Sequence, residues 1–195
     1  TKDVQISGEY LYTAESNEGV AIYKINDTIT PTDDMDPKSE NSHLKLVGNK
    51  PFDQTVVQLQ LSPDARYALA HYGNAGAVLD FRNKKTPAMY KEAEAFSMVY
   101  QNQMSIGCIG NRYLLMNTHL SKYLLCDFGP NGEYEEPIMT QWTDKTIGSS
   151  GSCADGEYVI LGGGGTRVYR FKPADWDTSD PKNNPFTSQF EVYAN

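Results

Sequence analysis

The 195-residue chain contains no apolar run approaching the roughly 18 residues a membrane-spanning helix needs. No segment reads as a signal peptide either. Cysteine is sparse: Cys108, Cys126 and Cys153 form no CxxC spacing, and an odd number of scattered thiols closes no disulfide framework. They read as small core residues inside apolar runs. Histidine is equally scarce, with His43, His71 and His119 far apart in sequence. Positive charge is in deficit, 17 Lys and Arg against 25 Asp and Glu, for a net charge of -8 and a pI near 4.8. Without a basic cluster, such a chain repels a phosphate backbone, which excludes nucleic acid as a partner. Long helical periodicity is also scarce. The apolar runs are four to seven residues long and bounded by turn residues, too short for helices and suited to strands.

What the chain does have is tyrosine, 13 of them, and a repeat. LSPDARYALAHYGNAGAVLDF, residues 61–81, reads as a polar turn, an apolar run, a small-residue turn and a second apolar run. Gly, Asn, Asp and Pro supply the dihedrals of the reversals, so the segment is a hairpin. The turn-then-Tyr element recurs at Tyr10, Tyr67, Tyr113 and Tyr158, spaced by 57, 46 and 45 residues. About ten residues after each, at Val20, Ala77, Tyr123 and Val168, a second apolar run is entered. A period of this size with four short strands per unit is the signature of propeller blades.

The fold expected is therefore all-β: a β-propeller of four blade-like, four-stranded repeats over residues 4–48, 56–93, 104–142 and 151–193. The segment 84–96 tolerates a helix, but Pro87 and the repeat phase assign it to an outer strand. MSIGCI (104–109) and GSCA (151–154) suit the crowded innermost strand, and Cys108 and Cys153, each five residues before its Tyr, read as equivalent positions. Two long acidic, Pro-rich loops, 26–42 and 172–187, join third to fourth strands and so share one face; the short loops between second and third strands fall on the other.

Ser62, Pro63, Asp64, Tyr67, Asn74, Gly76, Val78 and Asp80 together resemble the repeat of YVTN-type and WD40-like β-propellers, with Ala65 where the family prefers Gly. Asp127 keeps the late Asp of that pattern, whereas Lys24 and Arg170 stand near its place in the first and fourth repeats. The YVTN tetrapeptide itself is absent, as are the Gly-His and Trp-Asp marks of WD40 repeats, which argues against the eukaryotic scaffold type. The resemblance implies the propeller fold, and a bacterial cell-surface or extracellular location. Propellers of this kind usually have about six to eight blades, so the four repeats are either a small closed ring or, as favoured here, part of a larger propeller whose other blades lie elsewhere.

Several constellations carry little chemistry. His71 and His119 end the second strands of adjacent repeats with no carboxylate to complete a metal set, and read as isolated surface histidines. The acidic runs 33–36 and 175–180 lack the central Gly and distal Glu of a calcium loop and read as solvated turns. GGGG at 162–165 leads into a strand, not a helix, and reads as a tight hairpin rather than a phosphate loop. No catalytic set, metal site or cofactor is assigned. The binding residues proposed are aromatics and polar groups at the end of the repeats that carries the short loops: Tyr72, Asn74, Tyr100, Asn117, His119, Trp142 and Arg167. Rings in a shallow depression with amide and guanidinium partners suit a protein or a glycan. The function expected is non-catalytic binding; the alternative is a lactonase- or lyase-like propeller enzyme with its site at the central channel.

Overall fold

The computed structural model describes residues 1–16, 18–26, 42–73, 75–93, 104–109, 112–118, 122–143, 151–155, 158–162, 167–171 and 190–194, with the backbone alone for 91–93, 104–107, 117–118, 122–123, 141–143 and everything from 151 onward. The described residues form four antiparallel sheets of four strands, each made from consecutive segments. The first sheet holds β1 (Asp3–Ser7), β2 (Tyr10–Ala14), β3 (Val20–Ile25) and β4 (Leu44–Lys50). The second holds β5 (Val56–Leu61), β6 (Tyr67–Tyr72), β7 (Ala75–Asp80) and β8 (Ala88–Ala93). The third holds β9 (Met104–Ile109), β10 (Tyr113–Thr118), β11 (Lys122–Asp127) and β12 (Ile138–Thr143). The fourth holds β13 (Gly151–Asp155), β14 (Tyr158–Gly162), β15 (Arg167–Phe171) and β16 (Phe190–Ala194). These are the four blade-like repeats, and the helix-permissive segment supplies the outer strand β8. The chain divides into two compact units, Thr1–Glu92 and Ala93–Asn195.

In the first unit the two sheets bury one face each against the other. Tyr12, Ala14, Val20 and Ile22 of the first sheet meet Val56, Leu59, Leu61, Ala68, Ala70, Ala77 and Leu79 of the second. Small residues on the central strands of one sheet admit large residues of the other, so Tyr12 reaches Phe81 and stacks on it at 5.4 Å. Hydrogen bonds fasten β5 to the first sheet: the Leu59 amide donates to Asp3 Oδ2 of β1 at 2.8 Å and the Val56 amide to the Ser16 carbonyl just after β2 at 3.1 Å. The outer edge is fixed by absence of a side chain. A Cβ on Gly48 would overlap the Lys84 carbonyl, so β4 can lie against the turn of the second sheet only because Gly stands there.

In the second unit β9 lies beside β13. Leu114, Leu115 and Met116 on β10 and Leu124, Leu125 and Cys126 on β11 are buried, and Cys126 is the small apolar residue expected of it. Cys108 is half-buried. The equivalence expected for Cys108 and Cys153 is corrected by register. Cys108 pairs with Leu114, one residue past its Tyr, whereas Cys153 pairs with Ile160, two past. The preceding turn is one residue longer in the third repeat, and a one-residue slip moves a position to the alternate rung.

Candidate functional site

The repeat tyrosines mark one corner of every sheet. Register places a charged residue opposite each: Tyr10 with Lys24, Tyr67 with Asp80, Tyr113 with Asp127 and Tyr158 with Arg170. The residue before each Tyr is Glu9, Arg66, Arg112 and Glu157, opposite in sign to the residue facing the Tyr in all four repeats. In the first sheet Lys24 Nζ lies 3.3 Å from Glu9. In the third, Arg112 grips Asp127 with both ends of its fork, at 2.6 and 2.7 Å, and the Gly129 amide donates to the same carboxylate at 2.8 Å. The hydrogen bonds to Asp127 hold the Arg112 guanidinium well above its usual pKa, so it is a permanent cation. In the second sheet Arg66 turns to Asp64, and Asp80 accepts from Arg82 at 2.6 and 3.0 Å. Burial pushes the Asp80 carboxyl up, but the Arg82 hydrogen bonds outweigh it and hold the group below the usual carboxylate range.

The rings complete these corners. Lys84 sits over Tyr10 at 5.0 Å, Arg82 over Tyr67 at 5.4 Å and Arg112 over Tyr113 at 4.9 Å. A tyrosine suits the position because its ring body is covered while its face receives a cation. The Tyr113 hydroxyl is pushed up to about 12 by burial and then by Asp127, so it stays protonated. Chemically these corners are closed. Among the described residues the corner carboxylates are each paired: Glu9 with Lys24, Asp64 with Arg66, Asp80 with Arg82 and Asp127 with Arg112.

The binding residues expected at the opposite end of the sheets have mixed placements. Tyr72 is not an exposed loop ring: it ends β6, is 7% exposed, and packs on Phe52 with ring centroids 4.6 Å apart. It faces inward because, at the sixth place of a fully buried strand, it shares a face with Ala68 and Ala70. Asn117 and Trp142 are brought into one cross-strand row, Ser105–Asn117–Tyr123–Trp142, near one end of the third sheet. Arg167 opens β15 in the fourth sheet, opposite Leu161. Asn74, Tyr100 and His119 lie outside the described residues, as do the acidic runs 33–36 and 175–180 and the tetraglycine.

Sequence reasoning missed His71. Expected on the surface, it is 2% exposed, and its Nε2 has no hydrogen-bond partner among the described residues. Burial pushes its pKa below the ordinary value, against a hydrogen bond to the Gly73 backbone, so the ring is held neutral. Its place between Ala70 and Tyr72 in an unbroken apolar run was the available signal. Among the described residues no group of three or more His, Cys, Asp or Glu side chains gathers to hold a metal ion, and no helix is long and apolar enough to cross a membrane.

Neither a protein-family model nor a curated protein matches the sequence. Solved structures do match the fold. The Cps50 (Swd1) β-propeller domain of Myceliophteria thermophila superposes over 99% of this chain and 58% of its own, with a TM-score of 0.57 at 12% identity. The heterotrimeric Nup82 NTD–Nup159 TAIL–Nup145N APD complex of Chaetomium thermophilum provides a chain matching over 86% of this one and 41% of its own, TM-score 0.58 at 8% identity. The C-terminal WD40 domain of Sif2 matches over 91% and 44%, TM-score 0.53 at 12% identity. The chain thus spans about half the length of the solved propellers it resembles. The likeness to these domains, a WD40 domain among them, is one of fold alone.

Proposed function

We propose that this chain is a non-catalytic binding module of a larger propeller, recognising a protein partner through the sheet end that carries Asn117 and Trp142. The observation that carries the reading is the row Ser105–Asn117–Tyr123–Trp142, which puts two aromatic and two hydrogen-bonding residues on one rung. Aromatics with a few polar groups are the composition of energetic centres in protein interfaces. The closed corners at the other end support the same reading, since the corner carboxylates among the described residues are paired with neighbouring cations, as in a scaffold. One similar chain was solved within a heterotrimeric complex, which agrees with assembly as a use of this architecture.

Alanine at Trp142 and at Asn117 tests the proposal. Partners are captured by cross-linking to the wild-type protein, identified by mass spectrometry, and titrated by calorimetry against each variant. Affinity at least tenfold weaker for Trp142→Ala, with an unchanged circular dichroism spectrum, is the expected result. Unchanged affinity for every captured protein overturns the reading. Binding only to glycans replaces the partner class, and turnover of a lactone by the purified chain replaces binding with catalysis.

A further inference from the structure

The corner of the first sheet differs from the others in its third member. Its rung reads Tyr10–Lys24–Lys45, so two lysines stand directly opposite each other on β3 and β4. In the third sheet the same rung reads Tyr113–Asp127–Ile138, with the Asp127 carboxylate gripped by Arg112. In the fourth, Arg170 stands opposite Glu191. Like charges facing each other across a sheet repel, and of these three rungs only the first carries such a pair.

The second sheet adds to the surplus. Tyr10 shares its face with Tyr12, which is turned to the second sheet, and residues on one rung share a face, so Lys24 and Lys45 lie on that side too. From the turn between β7 and β8, Lys84 reaches over the Tyr10 ring at 5.0 Å, and Lys85 follows it. Among the described residues, Glu9 at 3.3 Å from Lys24 is the one carboxylate within ion-pair distance of these four lysines. The corner is closed for its carboxylate and in surplus for cations, in a chain of net charge -8.

The frame beneath the lysines is fixed. β4 passes so close to the turn that a Cβ on Gly48 would overlap the Lys84 and Lys85 carbonyls. Asn83 ties the turn: its side chain accepts from the Lys85 amide and its carbonyl from the Thr86 amide, both at 3.1 Å. A backbone held in this way needs no ordering when a ligand arrives, which lowers the cost of binding. Lys24, Lys45 and Lys85 are exposed, and Lys84 is half-buried against Tyr10.

We propose that this lysine cluster, at the rim shared by the first two sheets, is a docking surface for an aspartate- or glutamate-rich segment of a protein partner. Carboxylates set between Lys24 and Lys45 relieve their repulsion, and others meet Lys84 and Lys85 beside Tyr10. The range of the charges selects a short segment. Salt screens charges beyond about 8 Å, so a peptide meets the cluster alone, whereas a nucleic acid or an anionic membrane also meets the rest of a chain of net charge -8. This surface goes beyond the Asn117–Trp142 row, and neither depends on the other.

Fluorescence anisotropy of a labelled polyglutamate peptide, titrated with the whole chain at low and at physiological salt, tests it. Binding that weakens as salt rises is expected. Lys45→Glu and Lys85→Glu, both at exposed positions, are each expected to weaken it by about tenfold or more with an unchanged circular dichroism spectrum. Lys2→Glu changes the net charge by the same amount at the other end of the first sheet, where the Lys2 amide meets the Ala14 carbonyl. It is expected to leave the affinity within about twofold. Absence of binding, the outcome if the carboxylates of 27–41 already satisfy the lysines, overturns the proposal. An equal loss in Lys2→Glu overturns it as well, because net charge and not the cluster would then set the affinity. Attachment to phosphatidylserine vesicles with no binding of the peptide overturns the acidic segment as occupant.

Discussion

The corners of the first and second sheets are built on one plan with different parts. Two residues before the repeat tyrosine, both turns enter the left-handed region, with Gly8 at φ 57° and Ala65 at φ 54°. Each corner is closed by one backbone hydrogen bond across the hairpin, Ile25 to the Glu9 carbonyl at 2.8 Å and Phe81 to the Arg66 carbonyl at 2.7 Å. The third sheet repeats it with Phe128 to the Arg112 carbonyl at 2.9 Å. The parts then diverge. Ile25 is half-buried where Phe81 and Phe128 are fully buried, and the charge pair is Glu–Lys in one sheet and Arg–Asp in others. Backbone geometry is what the repeat conserves; side-chain burial decides how much each corner contributes to stability.

The largest expected effect follows from that difference in burial. Phe81→Ala removes a ring stacked on Tyr12 in the centre of the first unit's core, and is expected to destabilise that unit by about 3–5 kcal/mol. Ile25→Ala, at the equivalent place in the first sheet, empties a partly solvated site and is expected to cost about 1 kcal/mol. Urea unfolding of both variants measures the contrast. Equal losses would mean that the corner, and not its burial, sets the contribution.

The ion pairs sharpen the comparison one step down. Asp127 is 4% exposed and holds three hydrogen bonds, so Asp127→Asn leaves Arg112 and the Gly129 amide poorly matched. A loss of about 2–3 kcal/mol is expected, below the value for a fully dry pair because Arg112 itself reaches solvent. Lys24 and Glu9 are each about half exposed, and Lys24→Met is expected to change stability by less than about 0.5 kcal/mol. Thermal melts of the two variants at low and high salt would separate them, since salt screens the exposed pair and not the buried one. A larger loss for Lys24→Met than for Asp127→Asn would reverse the burial argument.

Much of this architecture was legible in the sequence because repetition made weak signals add. A single Gly-Asn turn says little, but four tyrosines at a common period, each followed by a second apolar run, specify four-stranded units. Register was not legible, because it depends on turn length. Strands β7, β11 and β15 begin at Ala75, Lys122 and Arg167, eight or nine residues after their tyrosines, while β3 begins ten after Tyr10. The longer turn before Tyr113 than before Tyr158 separated Cys108 from Cys153, and register hid the cross-strand pairs Glu9–Lys24 and Arg112–Asp127, whose members lie 15 residues apart and reverse sign between repeats. The ends of β6 failed for another reason. His71 and Tyr72 look like a polar exit into a loop, yet both are buried, since a strand enclosed on two faces keeps its last residues inside. The candidate binding end was legible only as composition, and the pairing of Tyr123 with Trp142 needed the backbone.

The smallest expected effect concerns the turn itself. Resemblance to the propeller repeat asks for Gly at position 65, and the structure supplies the physical reason. Ala65 sits in the left-handed region, where a Cβ meets the following carbonyl and costs about 1–2 kcal/mol. The first sheet avoids this with Gly8 at the same position. Against that gain, Ala65→Gly loosens the unfolded chain and removes a buried methyl that belongs to the core cluster. The hydrogen bonds around it need no Ala side chain: Ser62 Oγ donates to Asp64 at 2.8 Å and accepts from the Tyr67 amide at 3.0 Å. The difference leaves a net stabilisation of about 0.5 kcal/mol, a small rise in the urea midpoint with an unchanged slope. A fall in the midpoint would mean that the methyl's packing outweighs the strain, and that the second sheet keeps Ala there for its core rather than tolerating it in its turn.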